Sequence, residues 1–230
     1  MTARINTKKK RSKAKSPLMK CDELVKDYGE SRALGPVSLT LNAGEAAALV
    51  GHNGSGKSTF LSLIAGRVEP TEGSITISGH SPGDEVARAL VSYLPDNPVL
   101  YEDLSLGEHL EYLSRLHGTT PQQEHTAELL EAFSLTDRVD DLPADYSRGL
   151  RQKAAIAIGV CRPYRLLLVD EPFSGLDRAG RNTLIELLGT VKSKWGAVLV
   201  ATHDQDAVEV FDRIITLEQG QIVDDNVTPQ

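Results

Sequence analysis

Nine consecutive residues, Gly51-His52-Asn53-Gly54-Ser55-Gly56-Lys57-Ser58-Thr59, constrain this chain more than any other stretch. They fit G-x4-G-K-[ST] and follow the apolar run Ala46-Ala47-Ala48-Leu49-Val50, with Phe60, Leu61 and Ile64 at helical spacing behind them. An apolar run without polar alternation reads as a strand covered on both faces. Strand, glycine-rich loop and helix, in this order, is the context in which such a loop holds phosphate. Glycines let the loop turn its backbone N–H groups inward onto phosphate oxygens. The helix N-terminus adds partial positive charge, and Lys57 adds a full charge at the β/γ phosphates. Ser58 is then the expected Mg²⁺ ligand, and Thr59 the expected partner of the α-phosphate. A chance glycine-rich turn would not arrive with both flanks in place, so the loop is expected to bind a nucleotide.

A second apolar run, Leu166-Leu167-Leu168-Val169, ends in Asp170-Glu171. A buried strand that delivers carboxylates at its C-terminal edge puts them where α/β sheets bind ligands. Asp170 is expected to hold Mg²⁺ through water, and Glu171 to polarise an attacking water. Alone, the pair could be a solvated strand end; beside a phosphate loop it reads as catalytic.

Around these two strands the pattern is α/β from residue 19 onward. Val37–Leu41 and Ser74–Ser78 alternate with period two, as half-buried strands do. Leu106, Leu110, Leu113 and Leu116 recur at helical spacing, and Leu129, Leu130 and Phe133 continue in a second helix. Residues from about 97 to 161 therefore read as helical, apart from the polar stretch Asp137–Asp145, and are expected to form a helical subdomain inserted in an α/β core. The core resumes with Leu166–Val169, a helix around Thr183–Val191, a strand Ala197–Ala201, and a final β pair near 213–217 and 221–224.

Charge is unevenly placed along the 230 residues. Residues 1–20 carry eight Lys or Arg and no acid; removing those eight from 25 leaves 17 bases against 32 acids, a net of −15 for residues 21–230. The basic segment, residues 1–18, is expected to be a disordered tail. Three readings of it stand: a solvated extension, attraction to an anionic membrane surface, or nucleic-acid contact. The acidic body argues against nucleic acid as the main ligand. Two cysteines, Cys21 and Cys161, are too few for a disulfide scaffold and are expected as reduced thiols. No apolar run reaches the roughly 18–20 residues that span a bilayer. A cytoplasmic protein is expected, with any business at a membrane conducted through a partner.

Three further pieces bear on function. Tyr146-Ser147-Arg148-Gly149-Leu150-Arg151-Gln152-Lys153 precedes Asp170-Glu171 by about twenty residues; Ser174-Gly175-Leu176-Asp177 follows it closely; His203 comes after another apolar strand. Singly, Ser174-Gly175 could be a plain turn, His203 a neighbour of a helix cap, and Tyr28 an edge-packing residue. In their joint order they resemble the signature motif, D-loop and switch histidine of ABC-type ATPases, over residues from about 19 to 225. The resemblance implies an α/β fold: a P-loop NTPase, RecA-like core with an antiparallel β subdomain and an inserted helical subdomain. It implies ATP and Mg²⁺ as cofactors. It also implies a second ATPase subunit, in a homodimer or heterodimer, paired head to tail so that each ATP lies between one chain's phosphate loop and the other's signature. On that resemblance Ser147 and Gly149 reach the γ-phosphate of the opposite chain and His203 contacts the γ-phosphate. Asp177 cross-links the two sites, and Tyr28 stacks on adenine. Lys57, Glu171 and His203 form the catalytic set; Ser58, Asp170 and Asp96 form the metal set.

This chain also departs from the family pattern. The usual signature reads Leu-Ser-Gly-Gly-Gln, whereas Arg148 replaces the first glycine here and Leu150 the glutamine. Asp96, in Tyr93-Leu94-Pro95-Asp96, stands where the family has the Q-loop glutamine; it can reach Mg²⁺ through water but has lost a donor. These features, with Leu100-Tyr101-Glu102-Asp103-Leu104-Ser105, resemble the branch that energises bacterial exporters of drugs, lipids, peptides or polysaccharides. The expectation is an ATP-hydrolysing subunit working through a separate membrane-spanning subunit, held at the inner face of the cell membrane. Two alternatives remain: a soluble ABC ATPase acting on ribosomes or nucleic acid, or a non-hydrolysing ATP-binding regulator.

Overall fold

The computed structural model describes residues 17–118, 123–193, 196–204, 208 and 210–227. Of the expected basic tail, residues 1–16 lie outside the described residues. Leu18 is already part of the fold: it is buried, and its N–H donates to the Leu41 carbonyl at 3.0 Å.

Two sheets organise the chain. β1 (Met19–Tyr28), β2 (Ser31–Leu41) and β4 (Glu72–Ile77) form an antiparallel sheet in the order β2-β1-β4. The second sheet has the order β5-β6-β7-β3-β8-β9. In it β5 (Val91–Leu94), β6 (Leu166–Asp170), β7 (Ala197–Thr202), β3 (Ala46–Val50) and β8 (Arg213–Glu218) run parallel. β9 (Gln221–Val227) closes one edge as an antiparallel hairpin with β8. Parallel register brings the C-terminal ends of β3, β6 and β7 side by side, with Val50 opposite Thr202 and Asp170 opposite Ala201.

The continuous apolar runs are explained by cover on both faces. Ala47, Leu49, Leu166, Leu168, Leu199 and Ala201 face one core with the antiparallel sheet and α1 (Lys57–Ile64). Their neighbours Ala46, Ala48, Leu167, Val169, Val198 and Val200 face a second core on the other side. That second core is completed by α3 (Leu106–Leu116), α4 (Gln123–Ala132), α5 (Arg148–Val160) and α6 (Arg178–Ser193). A short α2 (Glu85–Leu90) leads into β5.

The segment between β5 and β6 holds α3, α4 and α5, with 3-10 turns at Thr136–Arg138 and Pro143–Asp145 in the polar stretch. α3 starts with a capping box, Ser105 accepting from Glu108 N–H while the Glu108 carboxylate accepts from Ser105 N–H. This satisfies two donors that a helix start leaves orphaned. Leu106 and Leu110 are buried, whereas Leu116 is 63% exposed. It lies on the last turn of α3, off the buried face. Both cysteines are free and buried, and burial pushes Cys21 up to about 12 and Cys161 to about 11, so neither is a reactive thiolate.

Candidate active site

The phosphate loop leaves β3 and enters α1 through two glycines with left-handed backbone, Gly54 (φ 82°) and Gly56 (φ 106°). Gly56 is forced on space as well as angle, since a Cβ there would lie 2.7 Å from the Ala33 carbonyl oxygen of β2. A Cβ at Gly51 would overlap the Leu217 carbonyl of β8. The β8–β9 turn is pinned to the loop too, Gly220 N–H donating to the Ser55 carbonyl at 2.9 Å and its own carbonyl accepting from Gly35 at 2.7 Å. The loop is thus held by strands from both sheets. Gly56→Ala is expected to lower the melting temperature and to abolish nucleotide binding, read by thermal melting and by titration with a fluorescent ATP analogue; unaltered nucleotide affinity would contradict the packing argument.

Beside the loop lies a cavity of about 490 Å³. Asn53, Gly54, Gly56, Lys57, Ser58 and Thr59 form one wall, and Asp96 and Glu171 another. Arg32, Ala33, Gln219 and Gly220 complete it. These four were not expected from sequence, because they come from a β-hairpin and a strand that only the fold brings to the loop. Arg32 is held there by a bidentate pair with Asp27, at 2.9 and 3.2 Å. Lys57, 5% exposed, donates to the Gly51 carbonyl at 2.7 Å and lies 3.6 Å from Glu171 Oε1.

Glu171 adopts a left-handed φ of 47°, unusual for a residue other than glycine and a form of strain that clusters at functional sites. Its N–H donates to the Ala201 carbonyl at 2.8 Å, which fixes the turn. Oε2 accepts from His203 Nδ1 at 2.9 Å and from the His203 backbone N–H at 3.3 Å. Oε1 accepts no hydrogen bond. Among the described residues three buried side-chain atoms are in that condition: Ser55 Oγ, Asp170 Oδ1 and Glu171 Oε1. All three belong to the phosphate loop or to the end of β6. Buried polar atoms are nearly always paired, so three orphans in one place mark a polar ligand.

Asp170 is 2% exposed, and its carboxyl is held above the usual carboxylate range. Burial is the main cause, and the charges of Glu171 and Asp96 add to it; a hydrogen bond from Ser58 and the Lys57 ammonium oppose it. Three carboxylates face one ammonium, a balance that favours a cation. Among the described residues no three His, Cys, Asp or Glu side chains are arranged to hold a metal unaided. That suits Mg²⁺, which keeps waters and substrate phosphates beside one or two protein oxygens. Ser58 and Asp170, with Asp96 across the cavity, are the residues that could hold it, and bound there it would neutralise phosphate charge.

The remaining expected residues stand apart from this cavity. Gly51, His52 and His203 line a neighbouring one of about 420 Å³. Tyr28 ends β1, half exposed, with Lys26 Nζ 5.0 Å from its ring centroid. Ser147 is the N-cap of α5, accepting from Leu150 N–H at 3.2 Å. Gly149 follows in the first turn, and Asp177 accepts from Gly180 N–H at 2.8 Å at the start of α6. Ser147, Gly149 and Asp177 do not line the cavity beside their own phosphate loop.

A glycine-rich loop of phosphate-binding sequence at the C-terminal edge of a parallel sheet, with an acidic strand end beside it, defines a P-loop nucleotide hydrolase. Residues 34–174 match the sequence profile of the family described as ABC transporter. The ABC-type transporter ATP-binding protein EcsA of Bacillus subtilis (strain 168) is 34% identical over 210 residues, covering 89% of this chain and 85% of that protein. The SkfA peptide export ATP-binding protein SkfE of the same organism is 31% identical, covering 93% and 90%. The dimeric post-hydrolysis ATP-binding cassette MJ0796 bound to ADP and Pi superposes with a TM-score of 0.84 at 26% identity, covering 92% of this chain and 99% of that one. The chain belongs to the ABC transporter family, as an ATP-binding and ATP-hydrolysing subunit that uses ATP with Mg²⁺.

Proposed function

We propose that this chain powers export through a separate membrane-spanning subunit and works as one half of an ATP-bound pair. The observation that carries the partner is an exposed apolar face on the segment following Asp96. Tyr101 (56% exposed) packs edge-on against Tyr112 (43% exposed) with ring centroids 5.7 Å apart, and Leu116 follows Tyr112 by one helical turn. Val99, 95% exposed, precedes them. Apolar groups of this size gathered near a nucleotide site suit a docking helix better than water. The helical segment 97–161 would serve as the subdomain that receives it. Attachment to the inner face would run through the partner; among the described residues no helix is long and apolar enough to cross a membrane. Export rather than import is supported by the likeness to the peptide export protein SkfE and by the Tyr-Ser-Arg-Gly signature.

Within the site, the geometry and the family resemblance support these residue roles. Lys57 supplies charge at the β/γ phosphates. Glu171, oriented by His203 through Oε2, lines the cavity and keeps Oε1 free of hydrogen bonds, so that it can accept a proton from an attacking water. His203 contacts the γ-phosphate with the ring edge that Glu171 does not use. Ser58, Asp170 and Asp96 hold the metal, while Tyr28, exposed beyond the cavity, offers a face to adenine. Ser147, Gly149 and Asp177 act on the nucleotide of the opposite chain. The test is affinity purification of tagged protein from gently solubilised native membranes. A stoichiometric multi-span membrane protein is expected; recovery of ribosomes or nucleic acid in its place would overturn the transporter reading.

A further inference from the structure

The start of α5 and the loop that carries Asp177 touch at three points in the same chain. Gly149 runs so close to this loop that a Cβ would sit 2.7 Å from the Gly175 carbonyl oxygen. Arg148 reaches across it: Nη2 donates to Ser174 Oγ at 2.8 Å, and its Cγ and Nε lie 3.4 and 3.5 Å from the Cβ position of Gly175. Farther along α5, Lys153 Nζ pairs with Asp177 at 3.0 Å. Asp177 accepts from Gly180 N–H in addition, and both partners hold its carboxyl below the usual range.

The close approach has a cost. Glycine at position 149 admits the neighbouring backbone but offers no side chain to the loop, and Gly175, at φ 80°, offers none back. Two glycines in contact do not by themselves fix a loop to a helix. Arg148 spans that weak spot and directs its guanidinium back onto Ser174 rather than outward. We propose that Arg148 and Lys153 are positioning residues that fasten loop 174–177 onto the start of α5, so that Ser147, Gly149 and Asp177 meet the partner's nucleotide as one rigid surface. The substitution of arginine for glycine in the signature then replaces backbone freedom with a strut. This rests on the proposed role of Ser147 and Gly149 across the pair.

The test uses the full chain in a Glu171→Gln background, where slowed hydrolysis is expected to let ATP-bound pairs accumulate, with pairing followed by sedimentation against ATP concentration. Arg148→Ala and Ser174→Ala are each expected to raise the ATP needed for half-maximal pairing by about fivefold to tenfold, within the range for loss of one solvent-exposed hydrogen bond. The double variant should be no worse than either single, because both remove the same tie. Arg148→Lys, which can still donate to Ser174, should stay within about twofold. Binding of a fluorescent ATP analogue to the monomer should be unaltered throughout, since neither residue lines the cavity. If Glu171→Gln protein pairs normally while Ser174→Ala is silent or the two losses add, the strut is wrong and the pairing role of the signature survives. If Glu171→Gln protein does not pair on ATP at all, that role fails and the strut falls with it.

Discussion

Glu171→Gln is expected to lower kcat for ATP hydrolysis by at least about 100-fold, the lower end of what a positioned general base contributes. ATP affinity should change by no more than a few fold. Glutamine keeps the shape of the side chain and can still accept from His203 at the position of Oε2. It loses the basicity of Oε1, the atom with no hydrogen-bond partner, and the ion pair with Lys57 at 3.6 Å. The strained backbone at φ 47° should be retained, because the Ala201 carbonyl fixes it and not the side-chain charge. Steady-state turnover and analogue titration on the same preparation separate the two effects. Turnover within about tenfold of wild type would remove Glu171 from the catalytic role.

Asp170→Asn should abolish Mg²⁺-dependent turnover and yet raise the melting temperature of the nucleotide-free protein, by roughly 2–4 °C for each kcal/mol relieved in a chain of this size. The sign follows from linkage. Burial, Glu171 and Asp96 raise the folded-state value of Asp170 above its ordinary 3.8. As pH climbs past that ordinary value the unfolded chain loses its proton first, so the unfolded state gains and stability falls until the raised folded value is passed. Above that window the carboxylate is ionised in both states and the loss remains in full. Asparagine has no such loss, so the advantage of the variant should be absent below the ordinary value, grow through the window and hold at neutral pH. Adding ATP and Mg²⁺ should reverse the ranking, since the wild type gains stability from binding and the variant gains less. Melting curves across pH, with and without nucleotide and metal, test both halves. A variant less stable than wild type at neutral pH without ligand would refute the claim that the buried charge costs stability.

Much of this site could be read locally because its chemistry is local. A loop that cradles phosphate needs successive inward N–H groups, a lysine and a helix start within nine residues, and the Gly51–Thr59 segment contains all of them. The buried strands were equally plain, for a strand covered on both faces has no room for alternation. β1 was less legible. Its Cys21-Asp22-Glu23-Leu24 stretch breaks the period of two because Glu23 takes a left-handed φ and the register slips between Cys21 and Leu24. β5, only Val91–Leu94 with Ser92 and Tyr93 inside it, becomes a strand through pairing with β6 rather than through its own pattern.

The sequence by itself determined the class of chemistry: a phosphate loop, an acidic strand end, and the signature segments in family order. It also determined that the parallel strands must be sandwiched. Tertiary structure alone decided that Arg32, Gln219 and Gly220 complete the cavity, that Glu171 splits its two oxygens between His203 and Lys57, and that Arg148 turns back onto Ser174. The reason is one of range. Backbone conformation and hydrophobic period act over a few residues, whereas each of these contacts joins segments whose meeting depends on how the whole sheet closes.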